Sequence, residues 1–530
     1  MAPGRAVKHE GVDVLVVGAG LGGAAFCKRL SERVPALRIA CLERGGWVDR
    51  AQMPASGPQW QRAALGSWAT SPNLRLRSGI KGASADYPID DSNSAIKPLM
   101  WNGVGGSTIN WAAHFPRLHP SDFRSHSLDG VGEDWPFRYA DLEPFYDQDD
   151  AEMGVSGLAG DPAYPPKPAR PMPPLPMGRL GMAAARGFDR LGWHWWPVDA
   201  AVNSAVYDGR AACNHCGPCL IGCINRAKSS TDATYWPKAI AQGVELRSHC
   251  IAREIVIEGG RATGVAYRTT DRRDHWQPAS YVVVAGNGIG TARLLLASGV
   301  SSPALGRNLM FHPAAYLRGM FAEELDGPVG PVGCAIYSHE FYETDVNRDF
   351  KRGIHLQVTR ENAPLIQAMR LQPAWGREAY GKLREEHRRS IVILVQAEDL
   401  PEAHNKVSLT NAIEADGLPG VRLDYKVSTH SRKSLDFGLD RAEEVLRAAG
   451  AYRIERLALA PVTGWHLLGT ARMGSDPATS VTDARGRCHG LPNLLVADGS
   501  LFPTAGAVNP GSTIGALGLK IAEDLAREIA

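Results

Sequence analysis

Short apolar runs separated by glycine-rich turns dominate the sequence. Val12–Val17 (VDVLVV) is too short for a helix and rich in β-branched residues, so it predicts a strand buried on both faces. Glycines follow, then helical spacing over Ala24–Leu30, then a second strand over Leu37–Leu42. This strand–turn–helix–strand order opens a doubly wound α/β sheet. Tyr281–Ala285 predicts another buried strand, followed by Gly286, Gly288 and Gly290 and a helix over Thr291–Ser298. Val244–Arg268 alternates like paired strands about a turn at Gly259–Gly260. Further helices are expected over Pro136–Tyr146, near Ser230–Gln242, near Ser434–Ala449 and over Ser512–Ile529, with strand-like stretches at Ser390–Ala397 and Val407–Leu409. Residues 50–100 predict irregular excursions, and the proline-rich stretch 158–175 predicts an extended surface connector.

Composition narrows the class. The chain has 530 residues, 44% hydrophobic and 22% charged, which is ordinary globular usage. Lys+Arg (58) and Asp+Glu (56) nearly cancel and are scattered, so nucleic acid is not the expected partner. Nothing approaches the roughly 18–20 apolar residues of a membrane helix, so the chain is not expected to span a membrane. Met1–Gly11 lacks an apolar signal core and a twin arginine. The expected location is therefore cytoplasmic, or periplasmic if a partner subunit carries the export signal. Cysteine is sparse, at 9, yet four lie between Cys213 and Cys223, which is unlike a secreted disulfide framework.

Gly18-Ala-Gly20-Leu-Gly-Gly23 fits a dinucleotide fingerprint. The first glycine permits the tight turn, the second lets backbone approach a pyrophosphate, and the third allows close helix–sheet packing. The motif follows a strand and opens a helix. Glu43, twenty residues after Gly23, stands where a carboxylate accepts bonds from ribose hydroxyls. The motif alone leaves FAD and NAD both open.

Trp101-Asn-Gly-Val-Gly-Gly-Ser-Thr-Ile-Asn-Trp111 resembles the glycine-rich segment that follows this fingerprint in glucose–methanol–choline (GMC) oxidoreductases. Ser280–Ser298, Gly306–His312 and Gly469–Gly515 also resemble segments of that family, in the right order. The resemblance implies an α/β fold, with a Rossmann-like FAD-binding domain interleaved with a second, α+β substrate-binding domain. FAD binding then falls to 1–157, 230–309 and 461–530, the last carrying the catalytic residues. Substrate binding falls to 310–460, and 158–229 holds the proline-rich connector and the cysteine segment. The cofactor-binding residues so implied are Gly18, Gly20, Gly23, Glu43, Gly105, Gly106, Ser107, Asn110, Asp498, Gly499, Asn509 and Thr513. Gly105 and Gly106 are expected to bring backbone N–H groups to the flavin. Asp498-Gly499 forms a strand-end turn, where α/β sheets place ligands. Some members bond flavin covalently to a histidine at the position of Asn110, so non-covalent FAD is expected. The family's catalytic pair maps to His466, the base that removes a hydroxyl proton, and Asn509, which orients the substrate. His114, His312 and His489 have no such support and read as ordinary core or surface residues.

Cys213, Cys216, Cys219 and Cys223 have the spacing C-x2-C-x2-C-x3-C of a bacterial ferredoxin, with Ile224 where proline normally follows. The arrangement is similar to that in catalytic α subunits of flavin sugar dehydrogenases such as glucoside 3-dehydrogenases. Those hold an iron–sulfur cluster, often three-iron (3Fe-4S), and serve a cytochrome partner, sometimes with a small accessory subunit. Long-chain alcohol oxidases of the family carry a similar run without a recognised cluster. Zinc, disulfides or unmetallated thiols are the other readings. The remaining cysteines read as core. The expected activity is an FAD-dependent dehydrogenation of a sugar, glycoside or polyol alcohol, with electrons relayed through the cluster. An oxygen-using oxidase, a hydroxynitrile lyase and a non-catalytic flavoprotein subunit are its rivals.

Overall fold

The computed structural model describes residues 6–53, 58–77, 85–327, 329–360 and 376–529. Five strands form its parallel layer, in the order Glu245–Arg247, Ile39–Leu42, Val12–Val17, the end of Asp274–Val284, and Leu494–Val496. Val14, Leu15, Val16 and Val282–Val284 are fully buried, as solid apolar runs covered on both faces must be. The predicted strand at Tyr281 is only the buried end of a longer one. The first half of Asp274–Val284 leaves the parallel layer and pairs antiparallel with Arg261–Thr269, which turns at Gly259–Gly260 into Cys250–Glu258. That half is polar and part-exposed, so it lacks an apolar signature.

The helices Leu21–Arg33 and Gly511–Ile529 cover the parallel layer side by side. Glycine makes the approach possible: a Cβ on Gly22 would lie 1.9 Å from Ala497 O, and one on Gly518 would lie 2.6 Å from Gly22 O. The helix expected near Ser230 begins later, at Tyr235–Ala241. Its hydroxyl-rich lead-in spends its side chains on local bonds, with Thr234 Oγ1 donating to Ser230 O at 3.2 Å.

A six-stranded antiparallel sheet runs Arg453–Leu457, Ala314–Met320, Ser390–Ala397, Ile354–Arg360, Gly333–Ser338, Trp196–Pro197. Alternation decides its two faces. Ala315, Leu317, Ile354, Leu356, Val358, Ile391, Ile393 and Val395 pack under the helices Gly178–Leu191 and Thr429–Ala449 in one apolar cluster. The intervening positions face the other way, toward the parallel layer. The longer helix starts at Thr429 rather than near Ser434 because Ser428 caps it, accepting from Ser431 N at 3.0 Å.

Two expectations change. Residues 50–100 were expected to be irregular, yet within their described part Ile89–Ser94 (IDDSNS) pairs in a third sheet with Pro419–Tyr425 and Lys406–Ile413. It is an edge strand whose outward positions are polar, so no apolar run marks it. The proline-rich connector is tied down rather than draped on the surface. Its Arg170 and Lys167 side chains, 3% and 5% exposed, pair with buried Asp199 at 2.8 and 3.4 Å. No helix among the described residues is long and apolar enough to cross a membrane.

Candidate active site

A cavity of about 370 Å³ lies between the carboxyl ends of the parallel strands and the free face of the antiparallel sheet. The fingerprint turn forms part of its wall. Gly18 holds φ +111°, and a Cβ there would sit 2.3 Å from Ala285 O, so only glycine closes the turn. Gly20 differs: its Cβ would meet nothing nearer than 4.0 Å, so the backbone there is open toward the cavity. Gly23 is away from the cavity wall and packs on Gly18 O, as the third glycine of such a turn should. The Glu43 carboxylate accepts from Ala19 N at 2.8 Å and Gly45 N at 2.9 Å, fixing the turn. Each of its oxygens retains a lone pair for a ribose hydroxyl. Burial raises its pKa while these backbone bonds oppose the shift.

The second glycine loop does a different job from the one expected of it. Gly105 N donates to Ala19 O at 3.0 Å and Gly106 N to Gly103 O at 2.8 Å, so neither N–H is free for a cofactor. The glycines are needed because the loop packs against the fingerprint: a Cβ on Gly106 would lie 2.8 Å from Gly20 Cα. Ser107 and Asn110 of the same loop do line the cavity. The Asn110 amide nitrogen is buried without a partner, a polar atom waiting for an acceptor. Asp498 lies in the wall, but its carboxylate is occupied by Asn287 N at 2.8 Å, Thr291 Oγ1 at 2.6 Å and Ser500 N at 2.8 Å. It holds strand ends together, and Gly499 beside it lines the cavity. Thr513 does not reach the cavity, because its hydroxyl is turned to Tyr146 OH at 2.7 Å; Gly511 and Ile514 line the wall instead. The open backbone at Gly20, the free lone pairs of Glu43 and the orphaned Asn110 amide suit a dinucleotide cofactor.

His466 and Asn509, 43 positions apart, come together at the cavity: Asn509 Nδ2 lies 3.5 Å from His466 Nε2. His312, read from sequence as an ordinary residue, completes the group, with its Nδ1 at 2.7 Å from His466 Nδ1. Two backbone carbonyls fix every proton in this arrangement. Gly506 O can only accept, so His312 carries its hydrogen on Nε2 (2.7 Å), and its bare Nδ1 accepts from His466 Nδ1–H. His466 Nε2 is left as a lone pair facing Asn509. On the other side, Ala507 O accepts from Gln396 Nε2 at 2.7 Å, and Gln396 Oε1 accepts from Gln357 Nε2 at 3.3 Å. Gln357 Nε2 also donates to Asn509 Oδ1 at 3.1 Å, which turns the Asn509 amide nitrogen toward His466. Burial brings His312 down to about 4. Burial, then the nearby rings of His312 and His114, hold His466 well below the ordinary imidazole range. His466 is therefore neutral at physiological pH. Gln357 and Gln396, with Tyr316, Thr359, Val392 and Leu394, are the alternate positions of the antiparallel sheet that face the cavity.

The four clustered cysteines line one small cavity of about 20 Å³ beside this site. All are free thiols. Three sulfurs accept backbone N–H groups at 3.4 Å: Cys213 from His215, Cys219 from Val332 and Cys223 from Lys228. Buried Lys228 ties the segment to the second glycine loop by donating to Cys219 O, Ile109 O and Trp111 O at 2.6, 2.8 and 2.9 Å. Burial pushes Cys219 up to about 12. Among the described residues, no three His, Cys, Asp or Glu side chains converge as a metal site. The ferredoxin-like spacing thus folds into a shared cavity without a ligand cage.

Residues 12–314 and 401–518 match the two sequence models described as GMC oxidoreductase. The chain is 37% identical to 2-methyl-1,2-propanediol dehydrogenase of Mycolicibacterium austroafricanum, over 97% of this chain and 95% of that one. It is 28% identical to the fructose dehydrogenase large subunit of Gluconobacter japonicus, over 98% of each. It is 27% identical to the C-glycoside 3-oxidase of Arthrobacter globiformis, over 98% and 95%. The crystal structure of pyridoxine 4-oxidase from Mesorbium loti superposes with a TM-score of 0.68, at 17% identity over 98% and 99% of the chains, and shares the fold.

Proposed function

This chain belongs to the GMC oxidoreductase family, and we propose that it is an FAD-dependent dehydrogenase of a diol, sugar or polyol alcohol, with its FAD held non-covalently. The observation that carries the reading is the His466–Asn509 pair, oriented on both sides by backbone carbonyls within one cavity. Bound FAD supplies a hydride acceptor for the carbinol carbon. The chain supplies the rest. Asn509 Nδ2 donates to the substrate oxygen and aligns the alcohol. His466 Nε2 takes the hydroxyl proton as the C–H bond breaks, and its Nδ1–H stays anchored on His312. The oriented amides of Gln357 and Gln396 keep Asn509 from turning its oxygen to the base. Asn110 supports non-covalent binding, since a carboxamide offers flavin a hydrogen bond and no nucleophilic ring nitrogen.

The preference for a dehydrogenase rests on the greater similarity to the propanediol dehydrogenase than to the C-glycoside oxidase. The cysteine segment is proposed to hold an iron–sulfur cluster, of the 3Fe-4S type that the resemblance to flavin sugar dehydrogenase subunits implies. It is supported by four thiols around one cavity, backbone N–H groups on three of the sulfurs, and the Lys228 link to the flavin-side loop. Such a cluster would supply one-electron transfer toward a protein acceptor, and since no ligand cage is formed among the described residues, loading it would require the thiols to draw in and deprotonate.

The test is anaerobic mixing of the FAD-loaded enzyme with 2-methyl-1,2-propanediol, D-fructose and D-glucose, following the flavin absorbance. Bleaching by one of them is expected. His466→Ala should retain FAD and bleach at least a thousandfold more slowly; equal rates would sink the assignment. Iron and acid-labile sulfide on the same sample read the cluster, and hydrogen peroxide formed in air at the rate of bleaching would identify an oxidase instead.

A further inference from the structure

Three side chains, His312, Gln396 and Gln357, orient His466 and Asn509, and their own orientation comes from two adjacent carbonyls, Gly506 O and Ala507 O. The groups that hold those carbonyls do not line the cavity. Ala507 N donates to Tyr342 OH at 3.1 Å, and Tyr342 OH donates to Asp122 Oδ2 at 2.8 Å. A backbone N–H can only donate, so the Tyr342 oxygen accepts there and its own hydrogen goes to Asp122. Asp122 accepts on both oxygens: Oδ2 also takes His119 N at 2.6 Å, and Oδ1 takes Arg352 Nη2. The Gly506–Ala507 peptide is trans, so its N–H and C=O point to opposite sides. Tyr342 meets one side, and His312 Nε2–H meets the other at 2.7 Å. One series of hydrogen bonds, all donating toward Asp122, thus joins His466, His312, the peptide, Tyr342 and the carboxylate. Asp122, Tyr342, Gly506, Ala507 and His312 are all buried.

We propose that Asp122 and Tyr342 are positioning residues for the base: the buried carboxylate, acting through the Tyr342 hydroxyl and the Gly506–Ala507 peptide, orients His312 and raises the electron density that His466 Nε2 offers to the substrate hydroxyl. This rests on the reading that His466 deprotonates an alcohol. Hydrogen bonds that donate in one sense polarise one another, and more so where water is excluded. Negative charge on Asp122 draws the Tyr342 hydrogen and leaves the phenol oxygen a better acceptor. The Ala507 N–H shifts toward it, and the Gly506 oxygen gains charge. His312 Nδ1 and then His466 Nε2 gain in turn. When His466 takes the hydroxyl proton, its new positive charge stands at the far end of a series that begins on a fixed negative one. No proton moves along the series.

Arg352 does not cancel the charge of Asp122. Its guanidinium is shared with Glu398 at 3.0 Å and Asp129 at 3.1 Å, so one cation faces three carboxyl groups. Burial raises the pKa of Asp122 and Arg352 opposes the shift, and donors on both oxygens favour the ionised form. The peptide is also held in place by shape. Gly506 has φ +63°, and a Cβ there would lie 2.4 Å from Leu118 Cδ2 and 3.2 Å from Asp122 Oδ2. The segment that supplies the carboxylate therefore packs directly on the peptide it polarises. Ala507 extends the same hold to the other partner, because its carbonyl takes Gln396, whose bond to Gln357 sets Asn509.

The experiment pairs anaerobic stopped-flow bleaching of the FAD-loaded enzyme with proton NMR of the same enzyme at rest. The hydrogen between His466 Nδ1 and His312 Nδ1, 2.7 Å apart, should give a far-downfield signal that His466→Ala removes. In Tyr342→Phe and in Asp122→Asn that signal should move upfield. Bleaching at saturating alcohol should slow about tenfold in each, with the half-saturating concentration within about twofold of the unaltered enzyme. The double variant should be no slower than Tyr342→Phe, because both changes act through one hydroxyl. Tyr164→Phe removes a neighbouring buried hydroxyl that bonds to Arg117 O instead, and should leave signal and rate unchanged. An unchanged bleaching rate in Tyr342→Phe overturns the proposal. Slowed bleaching with an unmoved signal also overturns it, since a packing defect alone would do that. Should either variant fail to fold, the other decides by the same two readings. An unaltered enzyme that no alcohol bleaches removes the parent reading alone. The resting signal then still tests the link from Asp122 to His466, and a signal unmoved in both variants overturns it.

Discussion

Single atoms decide the behaviour of several positions. Gly106 sits at φ +51° with Gly20 Cα in its shadow, so Gly106→Ala meets both a left-handed strain of roughly 1–2 kcal/mol and a backbone clash. The loop must lift from the fingerprint turn. The expected outcome is a purified protein with at most a tenth of the normal flavin-to-protein absorbance ratio, still folded by circular dichroism. Asp399 shows a different single-atom effect. Its Oδ2 accepts from Phe311 N at 2.9 Å and Tyr425 OH at 2.7 Å, while Oδ1 is buried without a partner. Burial raises this carboxyl to about 7, against an ordinary 3.8. A raised acid favours the protonated native state, so its stabilising contribution is full below about pH 4 and is lost as pH rises through about 7. Asp399→Asn keeps one oxygen for both donors and never ionises. Its melting temperature should therefore gain on the unaltered enzyme between pH 5 and pH 8; a pH-independent difference would refute the assignment.

At the scale of elements, the buried charges act as rivets. Arg293, on the helix Asn287–Ala297, is 2% exposed and meets Asp416 at 2.7 and 3.0 Å, and Arg44 reaches the same carboxylate at 3.0 Å. Asp416→Ala strands two guanidinium groups beside Tyr87 and should destabilise by about 3–5 kcal/mol, read as an earlier midpoint in urea. Legibility in the sequence follows the same physics. Strands buried on both faces are solid apolar runs, so Val12–Val17 and the end of Asp274–Val284 stand out in the residue pattern itself. Ile89–Ser94 is a polar edge, and the connector around Arg170 is held by ion pairs; neither leaves a periodic trace. His466 and Asn509 stand in motifs. Their supports His312, Gln357 and Gln396 occupy chain positions whose role depends on carbonyls at Gly506 and Ala507, and no local pattern announces that. Thr513 lies in a recognisable segment, yet its rotation about the helix turns it to Tyr146, a detail that spacing along the chain leaves undetermined.

For the molecule as a whole, the active site is shared between the two ends of the described chain. The fingerprint helix Leu21–Arg33 packs on Gly511–Ile529, and Leu494–Val496 completes the parallel layer beside Asp274–Val284. Gly18 and Gly511 line one cavity although 493 positions separate them. This arrangement has a consequence for biosynthesis. At about 5–20 residues per second, a ribosome needs roughly 25 to 100 s between making the two halves of the cofactor seat. For roughly the last 10 to 40 s of it, once Asp274–Val284 has been made, that strand has an open edge where Leu494–Val496 will lie, and throughout the interval the nascent chain has no complete place for FAD. A complete cofactor seat therefore has to wait for the last strand and helix, and the time that edge stays open scales inversely with the speed of translation.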